Sequence, residues 1–145
     1  MKRLTITFSA LAVAGLVAAS AVAATQKGAT PAKAASVLIR HQLHGCHAWS
    51  LNGGAFGASH SLTLKAGGVV TFTNNDVMPQ RLVKRSGRAV VYVGNRALSK
   101  PGAVVHGTFT KPGRYVFGTK PGEDYMKGVK TIGEDNVLKL VVTVS

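Results

Sequence analysis

From Ser36 to the end of the chain, short apolar runs alternate with clusters of turn-forming residues, and no long window carries a helical period. The closing run shows the pattern most plainly. Leu138, Leu140, Val142 and Val144 fall on one face and Lys139 and Thr143 on the other, which is the two-residue period of a half-buried strand. Val70 with Phe72, Val105 with Phe109, and Tyr115 with Phe117 supply further inward pairs. Between the runs stand Asn52-Gly53-Gly54, Ala66-Gly67-Gly68, Asn74-Asn75-Asp76, Ser86-Gly87, Gly94-Asn95, Pro101-Gly102, Pro112-Gly113 and Pro121-Gly122. Glycine accepts positive φ and proline presets φ, so such pairs bend a chain at little cost. Strands are predicted over Ser36–Gln42, Ser61–Lys65, Gly68–Asn74, Gln80–Lys84, Ala89–Val93, Ala103–Thr110, Arg114–Gly118 and Asn136–Val144. Many short strands at this spacing predict an all-β sandwich.

The chain before these strands has a different character. Lys2 and Arg3 precede an apolar, alanine-rich stretch from Leu11 to Val22, and Ala21-Val22-Ala23 offers the small residues that a signal peptidase requires. Residues 1–23 are read as a signal peptide, 24–35 as a flexible linker and 36–145 as one domain. The apolar stretch is too short and too alanine-rich for a membrane span, so no transmembrane segment is expected in the mature chain. Cleavage would leave 122 residues, enough for a single core. A secreted, periplasmic or cell-envelope location follows from this reading.

Charge narrows the partners. The mature part holds sixteen basic and five acidic residues, a net of +11. Such a bias favours anions, whether an acidic redox or envelope protein or an anionic envelope component. Export argues against nucleic acid. The run Arg81, Lys84, Arg85 and Arg88, extending to Arg96 and Lys100, crowds cations beside one predicted strand. It would serve either to dock an acidic partner or to discourage edge-to-edge aggregation.

Lys65-Ala66-Gly67-Gly68-Val69-Val70-Thr71-Phe72-Thr73-Asn74-Asn75-Asp76 reads as a strand, a glycine turn, a second strand and an Asn-rich corner, and in this it resembles the cupredoxin family of the plastocyanin and azurin type. Lys111-Pro112-Gly113-Arg114-Tyr115-Val116-Phe117 resembles the strand leading to the copper cysteine, and Met126-Lys127-Gly128 the end of the ligand loop. The resemblance implies a single Greek-key β-sandwich with copper at one pole. The ligands themselves are mostly replaced: Gln80 and Glu123 stand where histidines are expected and Thr119 where the cysteine is, with Met126 alone matching.

Soft donors concentrate elsewhere, in His41-Gln42-Leu43-His44-Gly45-Cys46-His47-Ala48-Trp49, which includes the only cysteine. Thiolate and imidazole suit copper and zinc. Cys46, His47, His44 and Met78 are therefore the candidate metal ligands, Met78 joining if the first strand passes beside the Asn-rich corner. The competing reading has Cys46 as a small buried hydrophobe, Trp49 as core and the histidines around a surface loop. His60 and His106 read as solvated. Five carboxylates are too few for a hard-cation cage. No nucleophile elbow, phosphate-cradling loop or His-Glu-x-x-His motif is present, so no enzyme is expected. Two functions stay open: an exported protein binding copper at an atypical Cys/His site, with or without Met78, for copper handling or electron transfer; or a metal-free sandwich that binds an acidic partner or anionic envelope component.

Overall fold

A computed structural model describes residues 31–41, 47–121 and 138–145. Among them every regular element is a strand: β1 (Ala32–His41), β2 (His47–Leu51), β3 (Phe56–Gly57), β4 (Ser59–Asn74), β5 (Gln80–Ser86), β6 (Val91–Gly94), β7 (Ala97–Leu98), β8 (Ala103–Phe109), β9 (Gly113–Pro121) and β10 (Lys139–Val144). The architecture is a cupredoxin-like β-sandwich, as the sequence patterns imply.

The sixteen-residue strand β4 joins the two layers. Its first half, from Ser59 to Leu64, pairs in parallel with β10, and β10 continues through β9 and β5 to β7. Its second half, from Gly68 to Asn74, lies between β1, parallel, and β8, antiparallel, with β2 and β3 beyond β1 and β6 beyond β8. The sequence predicts two strands here, separated by a turn at Ala66-Gly67-Gly68. The strand instead runs through, with Gly67 at φ +81° making the local kink that lets it leave one layer for the other.

Three further differences have simple causes. β1 begins at Ala32, inside the stretch read as linker, because Ala32, Ala34 and Ala35 find partners on β4. β2 is not predicted, since four of its five residues are buried in succession and give no alternation. The turn at Ser86-Gly87 does not join two neighbouring strands: β6 pairs with β8, so the chain crosses from one layer to the other after β5. Residues 1–23, read as a signal peptide, lie outside the described residues, and no described helix is long and apolar enough to cross a membrane.

The inward faces meet in one core. Val37, Ile39, Trp49, Val70, Phe72, Val105 and Phe109 come from one layer, and Leu82, Tyr115, Phe117, Leu140 and Val142 from the other. Phe109 meets Tyr115 edge to face at 5.0 Å and Phe117 at 5.7 Å, the geometry that ring quadrupoles favour. Two of the core aromatics have their polar tips satisfied: the Tyr115 hydroxyl donates to Lys111 O at 2.6 Å, and Trp49 Nε1 donates to Ala58 O at 3.2 Å. At one pole the inward rows run on into polar residues. His41 follows Ile39, His47 precedes Trp49, Asn74 follows Phe72, Gln80 precedes Leu82 and Thr119 follows Phe117.

Candidate metal centre

The polar pole is organised by the corner after β4. The Asn74 side-chain amide donates to the carbonyls of Met78 and Leu98, both at 2.9 Å, while its Oδ1 accepts from Asp76 N at 3.0 Å. Asn75 N donates to Ile39 O at 2.8 Å, which anchors the corner to β1. Asp76 is thereby turned inward. Its Oδ1 accepts the Met78 N–H at 2.9 Å and its Oδ2 lies 2.5 Å from His47 Nδ1. Neither the His47 nor the Asp76 side chain is exposed to solvent.

His41 completes the group by strand register. It ends β1 directly opposite His47, the first residue of β2, so both imidazoles occupy the same face of the hairpin. Their ring centroids are 5.7 Å apart and the planes cross at 71°. One nitrogen from each ring and one Asp76 oxygen lie within 4.8 Å of one another. Donors around a first-row metal at bond lengths of roughly 2.0–2.2 Å sit roughly 3–4 Å apart, so modest contraction would close the set. His41, exposed at a strand end, can supply that movement.

Of the residues singled out from sequence, His47 stands in this cluster. His44 and Cys46 lie outside the described residues, as do Glu123 and Met126. The first strand does pass beside the Asn-rich corner, yet Met78 is tied to the cluster through its backbone, by the bonds to Asp76 and Asn74. His41 and Asp76 were not among the predicted ligands. Asp76 reads in sequence as a turn residue, and only the fold turns its carboxylate toward the hairpin. His106 is exposed and shares a 3.0 Å hydrogen bond with Thr71. His60 is half-buried instead of solvated, its Nε2 donating to Trp49 O at 2.7 Å.

Gln80 and Thr119, which stand at two positions where the family resemblance expects ligands, are both buried at this pole, on β5 and β9. An amide and a hydroxyl are hard, neutral donors, and neither supplies the thiolate or imidazole of a blue-copper centre. These positions do not fit copper. The His41, His47 and Asp76 set does, since imidazole suits copper and zinc and an adjacent carboxylate adds charge compensation.

No family model and no curated protein matches the chain. Among solved structures it is similar to a purple cupredoxin from Nitrosopumilus maritimus, at 18% identity over 76% of this chain and 98% of that one, with a TM-score of 0.45. It is also similar to amicyanin from Paracoccus versutus, at 19% identity over 81% and 86% of the two chains and a TM-score of 0.44. A third likeness, to a Cu-containing nitrite reductase from Thermus scotoductus, covers 80% of this chain but 22% of that one, at 17% identity and a TM-score of 0.41. Identities this low transfer no ligand, and the question of metal rests on this chain's own donors.

Proposed function

We propose that this is an exported copper-binding protein in which His41, His47 and Asp76 hold the metal and which serves copper handling. The observation that carries the reading is the burial of Asp76. It is the sole side-chain carboxylate among the described residues, it has no solvent exposure, and it faces an imidazole. A buried carboxylate is costly without a compensating positive charge. A divalent cation held between Asp76 and two imidazoles supplies that charge. At a given nitrogen and oxygen site copper(II) binds most tightly of the divalent first-row metals, which favours copper over zinc. The carboxylate beside His47 Nδ1 also fixes the orientation of that ring, a recurrent support for ligating histidines. Because His41 is exposed, metal would enter and leave from its side, which suits delivery or sequestration.

The test is direct titration of the full chain with copper(II) against a competing chelator. One equivalent is expected, with His41→Ala and Asp76→Asn each weakening uptake by at least about tenfold. Cys46→Ser, measured in parallel, decides whether the neighbouring thiol contributes. Absence of stoichiometric uptake, or uptake unchanged in both His41→Ala and Asp76→Asn, removes the reading. The pair of His47 and Asp76 would then be a structural lock that ties the corner after β4 to the start of β2.

A further inference from the structure

The outward face of the layer built from the first half of β4 with β10, β9 and β5 has an unusual composition. Arg81 and Lys120 stand directly opposite each other across β5 and β9, both exposed. Like charges so placed repel, and among the described residues no acidic side chain is interposed, Asp76 being buried at the pole. Lys139 and Arg114 add exposed cations on β10 and β9. Arg85 lies flat across the sheet over Gly118: a Cβ at that glycine would come within 2.5 Å of Arg85 Nε.

These cations surround an apolar centre. Val83, Val116 and Val141 are half-buried on the same face, and Val116 and Val141 are register partners. Beside Val141 a recess of about 280 Å³ opens, lined by Ser59, His60, Ser61 and Lys139. An apolar centre with a pocket, inside a polar and charged rim, is the anatomy of a protein-binding surface. A linear polyanion needs neither the valines nor the recess. A single-stranded nucleic acid would require aromatic platforms, and the face offers none among the described residues. The exposed valines suited to touching a membrane, Val77, Val91 and Val93, lie elsewhere.

We infer that this face docks an acidic protein, one presenting apolar side chains to Val116, Val141 and the adjoining recess and carboxylates to Arg81, Lys120, Lys139 and Arg114. The surface is independent of the metal centre. Unlike a uniformly basic shell, it makes binding depend on the valines as well as on charge.

The experiment titrates the full chain with a synthetic peptide of alternating glutamate and valine, alongside poly-glutamate of equal charge, inorganic polyphosphate and anionic lipid vesicles. The peptide is expected to bind tightest and to weaken with added salt. Arg81→Glu with Lys120→Glu should lower its affinity at least about tenfold. Val116→Thr with Val141→Thr, which preserves shape and strand preference, should weaken the peptide but not poly-glutamate. Lys33→Glu with Arg40→Glu, on β1 in the other layer, should leave peptide binding unchanged. The inference is overturned if polyphosphate or vesicles match the peptide, if the β1 reversal weakens binding as much as the face reversal, if the threonine pair has no effect, or if no saturable binding is seen.

Discussion

Gln80 and Thr119 lie diagonally across β5 and β9 on one buried face, and no polar atom of either side chain has a hydrogen-bond partner among the described residues. Both are almost wholly shielded from solvent. A buried polar group without a partner costs roughly 1–3 kcal/mol relative to an apolar group of the same shape. Thr119→Val removes the hydroxyl and keeps the β-branched outline, so it should stabilise the fold by about 1 kcal/mol in a denaturant titration. Gln80→Met should be neutral or stabilising as well. If an ordered water already satisfies the pair, both substitutions destabilise instead, and the pole holds solvent where the family resemblance puts a metal.

Asp76 carries two separable duties, and substitution tells them apart. Its Oδ1 holds the Met78 N–H and its Oδ2 faces His47. Asp76→Ala deletes both contacts inside the protein and should cost about 3–5 kcal/mol. Asp76→Asn keeps an acceptor for Met78 and should cost less, while still weakening copper uptake. His41→Ala, at an exposed position, should change stability by no more than about 0.5 kcal/mol while weakening the same uptake. Chemical denaturation and metal titration on the three variants give the two readouts.

How much of this was legible beforehand depends on the length scale of each feature. The closing strand was readable because Leu138 to Val144 alternate strictly and one face is buried. The second half of β4 and β8 were readable for the same reason. β2 was not, because its buried run of His47, Ala48, Trp49 and Ser50 mimics no period, and β7, at two residues, is too short to carry one. Of the His41, His47 and Asp76 cluster, His47 alone was legible as a candidate ligand. His47 stood out as part of a histidine-rich tract, but placing His41 beside it requires the strand register. Asp76 sits 29 residues from His47 and is brought there by the parallel pairing of β1 with β4, which no local pattern states. One signal was available: a short loop between two strands sets its flanking residues opposite one another, and here both flanking residues are histidines.

Gly87 marks the point where the chain leaves β5 for the other layer, and it tolerates no side chain. Its φ is +101°, and a Cβ there would lie 2.8 Å from Tyr115 Cδ1 and 2.9 Å from Arg114 O. Gly87→Ala therefore combines backbone strain with a clash against a packed aromatic and should cost roughly 3 kcal/mol. Gly67, at φ +81° with open space around it, is the control. Gly67→Ala suffers the strain alone, about 1–2 kcal/mol. Equal losses for the two in urea titrations would show that the approach to Tyr115 is not limiting.

Tyr92 gives the fold a dependence on alkaline pH. Burial pushes its hydroxyl above the ordinary value of 10.0, and the neighbouring Arg96 charge partly opposes that rise. The Arg96 guanidinium stands 5.1 Å from the centre of the Tyr92 ring. A raised value means that the folded state holds the phenolic proton more tightly than the unfolded chain does. Stability from this source is complete below pH 10, and it falls as pH rises through the folded value. Removing the arginine charge takes away the stabilisation of the phenolate, so Arg96→Gln should raise the tyrosine value further and steepen the alkaline loss. Ultraviolet titration of the tyrosinate, compared with thermal unfolding across the same pH range, measures both. A fall in the Tyr92 value on Arg96→Gln would mean that the cation–π contact shields the ring from solvent, and that its loss hydrates the hydroxyl by more than the missing charge raises it.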